Sequence, residues 1–396
     1  MGGFIWGYES GSSRQLILRR QVSIVPNIIF GKTLVRRRLA MEKGKKLDFT
    51  GQTVFVGLDV HKRSWSVSVY TEHGEYKTFT QPPEPEKLVC FLRRHFPAAS
   101  YRVVYEAGFF GFWIYEELAE RGVECVVVNP ADVPTKDKEQ RVKRDGVDCR
   151  KLARCLRAGE IEGIYVPSRG RLEDRSLLRA RLSMGCKLRR CKNQIKALLY
   201  FYGIGVPEEL EGRCWSVRFI RWLEGVRMRS RAGQMALRVL IEEFRHLRSI
   251  IVSLDREIRQ LARSEAYRES VRLLRTVPGI GTFFSMLLLT ELCEIGRFPS
   301  IDELSSYVGL VPDVHASGER EYVVGVTKRR RAYLRWLLIE ASWVAVRKDP
   351  VLMMAFKEYC RRMKKTRAIV KIARKLLNRI RYVLKNRSEY VAGVIE

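Results

Sequence analysis

Val54-Phe-Val-Gly-Leu-Asp59 is an unbroken apolar run that ends on a carboxylate. Five apolar residues without polar alternation fit a strand covered on both faces, the kind found at the centre of a sheet. Working outward, Ser64-Trp-Ser-Val-Ser-Val-Tyr70 alternates with period two and Glu75–Thr80 supplies a third strand-like segment. The short separations predict an antiparallel three-stranded meander. A helix follows over 86–95, then the strand Tyr101-Arg-Val-Val-Tyr-Glu106 and a helix from Phe110 to Arg121. Glu124-Cys-Val-Val-Val128 reads as the last strand, and a helix is expected from Asp148 to Ala158. Alternating strands and helices predict an α/β domain.

The order βββαβαβα is that of a ribonuclease H-like domain, expected over residues 51–168. Residues 169–265 are helical. Leu177, Arg181, Met184, Leu188, Cys191, Ile195, Leu198 and Tyr202 alternate spacings of four and three with one polar intruder. Leu237, Leu240, Phe244, Leu247, Ile251, Leu254, Ile258 and Leu261 do the same without exception. Such seams fit coiled-coil arms, folding back as an intramolecular antiparallel hairpin or joining subunits. Pro207 and the Gly/Arg-rich stretch 203–213 separate them. Residues 266–396 form a mostly helical, basic domain, so the whole chain is expected to be α/β plus all-α. Residues 1–50 are basic and aperiodic, an arm with Met41 as a plausible internal start.

The chain has 396 residues and a formal net charge of +30, from 74 Lys and Arg against 44 Asp and Glu. A surplus of that size points to a polyanion, with nucleic acid first. No apolar run approaches the roughly 20 residues that span a bilayer, and Pro26 breaks the N-terminal apolar stretch, which lacks a signal-peptide layout. Nine cysteines occur without a CxxC pair, so reduced thiols in a cytoplasmic protein are expected rather than a zinc site. Between Arg361 and Arg387 stand twelve Lys or Arg and no acidic residue. Ile369, Ile372, Ala373, Leu376, Leu377, Ile380, Val383 and Leu384 trace one helical face there, so one side packs and the other offers charge to a phosphate track.

Four carboxylates stand out in so basic a chain. Asp59 and Glu106 each end a strand, while Asp145 and Asp148 lie three apart at a helix start, facing one way. Singly, each is an ordinary strand-end or helix-start residue. Together they would repel a polyanion unless cations bridge the two, and two-metal phosphoryl chemistry needs several carboxylates converging. Mg²⁺ is the expected ion, because the donors are hard oxygens with no thiolate among them.

Gly57-Leu-Asp-Val-His-Lys62, Tyr105-Glu-Ala-Gly108 and Asp145-Gly-Val-Asp148 with Leu152-Ala-Arg154 look like the DEDD motifs of IS110-type transposases. The resemblance continues through Val277-Pro-Gly-Ile-Gly281, Arg297-Phe-Pro-Ser300, Ser306-Tyr-Val-Gly-Leu-Val-Pro312, Ser317-Gly318 and Gly325-Val-Thr-Lys328. It implies a site-specific DNA recombinase in which a RuvC-like domain supplies the acidic residues and a C-terminal transposase domain supplies a serine, here Ser317. It also implies a structured non-coding guide RNA pairing with donor and target DNA, a dimer-to-tetramer assembly, and kinship with Piv-type invertases. Two departures are Cys149, where the family commonly has alanine, and Arg329-Arg-Arg331 after Lys328, where a glycine is common.

Independently of the family, Ser317 lies in Asp313-Val-His-Ala-Ser-Gly-Glu319, a loop by composition. Arg320, Lys328, Arg329, Arg330, Arg331 and Arg335 follow closely enough to bind a phosphate, and His315 is a candidate proton acceptor. Gly279 and Gly281 suit either a tight αα turn or a hairpin whose amides meet DNA phosphates. Lys62, beside the first motif, is a further candidate DNA contact. Two rival functions share these residues. A metal-dependent nuclease or junction resolvase would hydrolyse DNA without a covalent intermediate, and a non-catalytic scaffold would only bind it.

Overall fold

The computed structural model describes residues 48–134, 145–212, 215–317, 320–326 and 332–393, with Asp145 and the segments of 312–326 described by backbone alone. The basic arm and Met41 lie outside the described residues. The chain divides into two compact units, Met1–Gly163 and Ile164–Glu396. No helix among the described residues is long and apolar enough to cross a membrane.

The first unit is built on a five-stranded sheet: β1 (Thr53–Val60), β2 (Trp65–Thr71), β3 (Gly74–Gln81), β4 (Ser100–Glu106) and β5 (Glu124–Val128). Helix α1 (Pro85–His95) follows β3, α2 (Trp113–Glu120) follows β4, and α3 (Asp145–Ala158) closes the unit. The strand order is β3-β2-β1-β4-β5. Strands β1, β2 and β3 pair antiparallel, and β4 and β5 run parallel to β1. β1 is central, which accounts for its apolar residues at both parities: Val54, Val56 and Leu58 are buried on one face. On the other face Gly57 meets α3, where a Cβ would stand 2.1 Å from the Cys149 carbonyl oxygen and 2.6 Å from the Ala153 nitrogen. Only glycine admits the helix so close. The second helix starts three residues later than the expected Phe110, because Gly111 takes φ +68° and turns the chain before Trp113.

The second unit opens on two long helices, α4 (Arg169–Phe201) and, after α5 (Val217–Gly225), α6 (Arg231–Leu261). α4 and α6 form an antiparallel hairpin. Arg181 donates to both carboxylate oxygens of Asp255 at 2.7 and 3.2 Å, and the Cys191 thiol meets the Leu240 carbonyl. The polar intruder of the first seam therefore has a matched acceptor. Cys191, Ile195, Leu237, Phe244, Leu247 and Ile258 are buried as the spacing predicts, but Leu178 and Leu199 are buried while Tyr202 is 54% exposed. The register drifts because a third element packs at each end. Leu178 joins the core around α8 (Thr282–Leu292), which follows α7 (Arg268–Leu274). Leu199 joins Phe219 and Leu223 of α5. The spacing of apolar residues did not reveal α5; Ser216 caps it by accepting from the Phe219 amide.

α8 is buried all round, from Phe284 to Leu292, and forms the centre of the larger core. Around it pack α9 (Ile301–Val308), α10 (Ala332–Lys348), α11 (Pro350–Arg362) and α12 (Lys365–Asn386). The buried face of α12 runs Ile369, Ile372, Ala373, Leu376, Leu377, Ile380 and Val383, as its periodicity predicts. Some of its cations are spoken for. Arg374 pairs with Asp302, Arg379 with the buried Asp349, and Arg381 donates to the carbonyls of Phe298 and Pro299. Between α9 and α10 lies a hairpin of β6 (Pro312–Ser317) and β7 (Arg320–Val326). Its first strand corrects the expected loop over 313–319: the β-branched and aromatic run Tyr322-Val-Val-Gly-Val326 supplies a partner strand.

Candidate active site

The acidic site grows from the pairing of β1 with β4. Their parallel register runs through Leu58 opposite Tyr105, so Asp59 and Glu106 are the next pair, at the carboxyl ends of strands ~4.8 Å apart. Side chains alternate along a strand, so both carboxylates share the face of Gly57 and Val104, which is the face α3 covers. Asp148 stands in the first turn of α3, one residue before the Cys149 whose carbonyl presses on Gly57. Three of the four expected carboxylates thus lie along one sheet rim, and Asp145 begins the same helix.

The electrostatics agree with that placement. Burial pushes the Cys149 thiol up to about 12, and the negative charge of Asp59 adds to the rise. Asp59 Oδ2 lies 3.1 Å from His61 Nε2. Side-chain exposure is 21% for Asp59, 35% for Glu106 and 40% for Asp148, so the rim opens to solvent. Lys151 is the residue that sequence reasoning missed. Its side chain is only 9% exposed, and its ammonium lies 3.6 Å from Glu106 Oε1 and 3.7 Å from Asp148 Oδ1. The available signal was its spacing, three residues past Asp148 on the same helix face.

These residues suit a hard divalent cation. The donors are carboxylate oxygens on an open rim, the neighbouring thiol stays protonated, and a cationic side chain already stands between two of the acids. Among the described residues no three carboxylate, imidazole or thiol groups draw together closely enough to hold a metal as they stand.

The remaining candidates belong to the second unit, apart from Lys62, which is exposed in the turn between β1 and β2. Ser317 ends β6 and pairs in register with Arg320 at the start of β7, so it borders the tip of the hairpin. Lys328, Arg329, Arg330 and Arg331 lie outside the described residues. Arg335, on α10, donates to the Gly309 carbonyl at 3.1 Å. Gly279 has φ +86°, and a Cβ there would stand 2.6 Å from the Ala341 carbonyl oxygen. Its close approach is made to α10, which gives this glycine a packing reason of its own. Gly281 caps α8, and space around it is open.

Comparison with known proteins fits both regions. Residues 56–204 match the family model of the DEDD-type IS110 transposase domain, and residues 271–358 match that of the transposase IS116/IS110/IS902 family. The y4qE protein of Sinorhizobium fredii, named as a transposase, is 32% identical over 294 residues, covering 73% of this chain and 71% of its own. The transposase for insertion sequence element IS1533 of Leptospira borgpetersenii is 26% identical over 302 residues, covering 73% of this chain and 84% of its own. A pilin gene-inverting protein of Moraxella lacunata is 31% identical over 166 residues, 38% of this chain and 49% of its own. With motifs at the acidic rim and around the serine hairpin both accounted for, this chain belongs to the IS110 family of transposases, enzymes of DNA recombination.

Proposed function

We propose that this transposase is a site-specific, RNA-guided DNA recombinase that cuts and rejoins DNA through a phosphoserine at Ser317. Its first unit acts as a ribonuclease H-like, RuvC-like domain with Mg²⁺ held by Asp59, Glu106, Asp145 and Asp148. One arrangement supports this above all: two carboxylates at the ends of adjacent parallel strands, with a third brought to the same rim by a helix that Gly57 admits. The strand order β3-β2-β1-β4-β5, antiparallel then parallel, supports the ribonuclease H-like reading. Bound Mg²⁺ supplies Lewis-acid polarisation of phosphate oxygens.

In this reading the Ser317 oxygen attacks a DNA phosphorus. A serine–phosphate bond forms, a phosphorus–sugar oxygen bond breaks, and the serine proton is lost while the leaving sugar oxygen gains one. The bond count is unchanged, so a second sugar hydroxyl can reverse the step and join a new partner. Arg320, Arg335 and the run Lys328–Arg331 stabilise charge on the phosphate, and Lys62 and the Gly281 amide contact the backbone. The long α4–α6 hairpin acts as a coiled-coil arm that joins subunits into a dimer or tetramer, bringing one subunit's serine to another's acidic rim. Guide-RNA use rests on family resemblance and on the net charge of +30. The test is strand exchange between donor and target DNA by purified protein. A discrete RNA from the locus should co-purify and be required; exchange that proceeds unchanged after ribonuclease treatment would rule guidance out.

A further inference from the structure

Lys151 is out of place for an ordinary surface lysine. It sits on α3 between Cys149, which is fully buried, and Leu152 and Ala153, which are 1% and 0% exposed. Its own side chain is only 9% exposed, so its stem is packed rather than solvated, on a helix whose backbone rests against Gly57. The ammonium faces two of the proposed metal ligands at once, 3.6 Å from Glu106 and 3.7 Å from Asp148. Two-metal sites set their cations about 3.5–4 Å apart. A positive charge within 4 Å of two of the carboxylates already takes one cation's place beside them, and it repels any further ion that approaches.

We infer that Lys151 is the second cation of the acidic site, so that the cluster takes one divalent ion rather than two. The inference rests on the metal reading above and adds the stoichiometry. Lys151 acts as a positioning residue: it holds Glu106 and Asp148 apart from the second metal position and neutralises part of their charge towards DNA. Manganese is a suitable probe, counted by electron paramagnetic resonance on the full-length protein without DNA. Wild type and Lys151→Arg should each bind one Mn²⁺ per chain with an isolated six-line spectrum. Lys151→Met, which keeps length and loses charge, should bind two with spin coupling between them; Lys151→Gln serves the same purpose should the methionine variant not fold. Two ions in wild type, or one in both neutral variants, would overturn the inference and leave the metal reading standing. No binding by any of the four proteins would overturn both.

Discussion

At the residue scale, two small groups carry more than their size suggests. Gly57→Ala places a methyl where the Cys149 carbonyl already stands at 2.1 Å, so α3 must lift from β1. Overpacking of this kind costs about 1–3 kcal/mol or more, and the displacement also carries Asp148 and Lys151 away from the rim. The expected outcome is a lower urea midpoint together with loss of Mn²⁺ binding; loss of neither would refute the pinning of α3. Glu291 is fully buried on α8 and accepts two bonds from Arg179 at 2.7 and 3.0 Å, with Arg175 3.5 Å away. Its hydrogen bonds, and then its charge, raise the Arg179 guanidinium above its ordinary range against the opposing effect of burial. Removing one partner of a fully buried ion pair costs about 3–5 kcal/mol. Arg179 is 48% exposed and solvent screens it. Glu291→Gln should therefore lower the unfolding free energy by less than that, read as a lower urea midpoint at an unchanged m-value.

Asp349 shows the same logic as a function of pH. Burial pushes its carboxyl up, but the Tyr390 hydroxyl, the Leu352 amide, the Arg379 guanidinium and the Gly393 amide outweigh burial and hold it below the ordinary carboxylate range. A folded-state pKa below the unfolded value of about 3.9 gives stability that is fully present above that value. It is lost as pH falls through the folded value. Asp349→Asn should therefore flatten the acid limb of stability below about pH 4; an unchanged limb would contradict the account.

At the element scale, what was legible in the sequence depended on how many neighbours each segment has. Strand β5 was bounded to the residue, and the buried face of α12 followed its periodicity, because one packing surface dominates each. The α4–α6 seam was legible at its middle and not at its ends, where α5 and the α8 core draw Leu199 and Leu178 inward. The hairpin β6–β7 escaped notice because the polar residues of Asp313-Val-His-Ala-Ser317 and the Ser317-Gly318 pair suggest a turn, although the segment alternates polar and apolar residues as a strand does. Of the site, Asp59, Glu106 and Asp148 were legible as strand and helix termini. Lys151 was not, since nothing local separates a lysine that faces acids from one that faces water. Asp255 explains the polar intruder Arg181: Asp255→Ala should strip the seam of its acceptor and destabilise the hairpin by about 1 kcal/mol. The Arg181→Leu/Asp255→Leu double variant should recover that loss in thermal melts.

At the scale of the whole molecule, the acidic rim lies in the first unit and Ser317 in the second. If both halves act as proposed, strand cleavage should depend on assembly, which suits an enzyme that must not cut DNA before both partners are present. The surplus of cations bears on affinity: binding should weaken linearly in log–log terms with salt. The account turns on the covalent step. Wild type incubated with its cognate DNA and Mg²⁺, then denatured and digested, should yield a nucleotide-bearing peptide that mass spectrometry assigns to Ser317, absent from Ser317→Ala and from Asp59→Asn. Cleaved DNA with free ends and no adduct, or an adduct that survives Ser317→Ala, would contradict it.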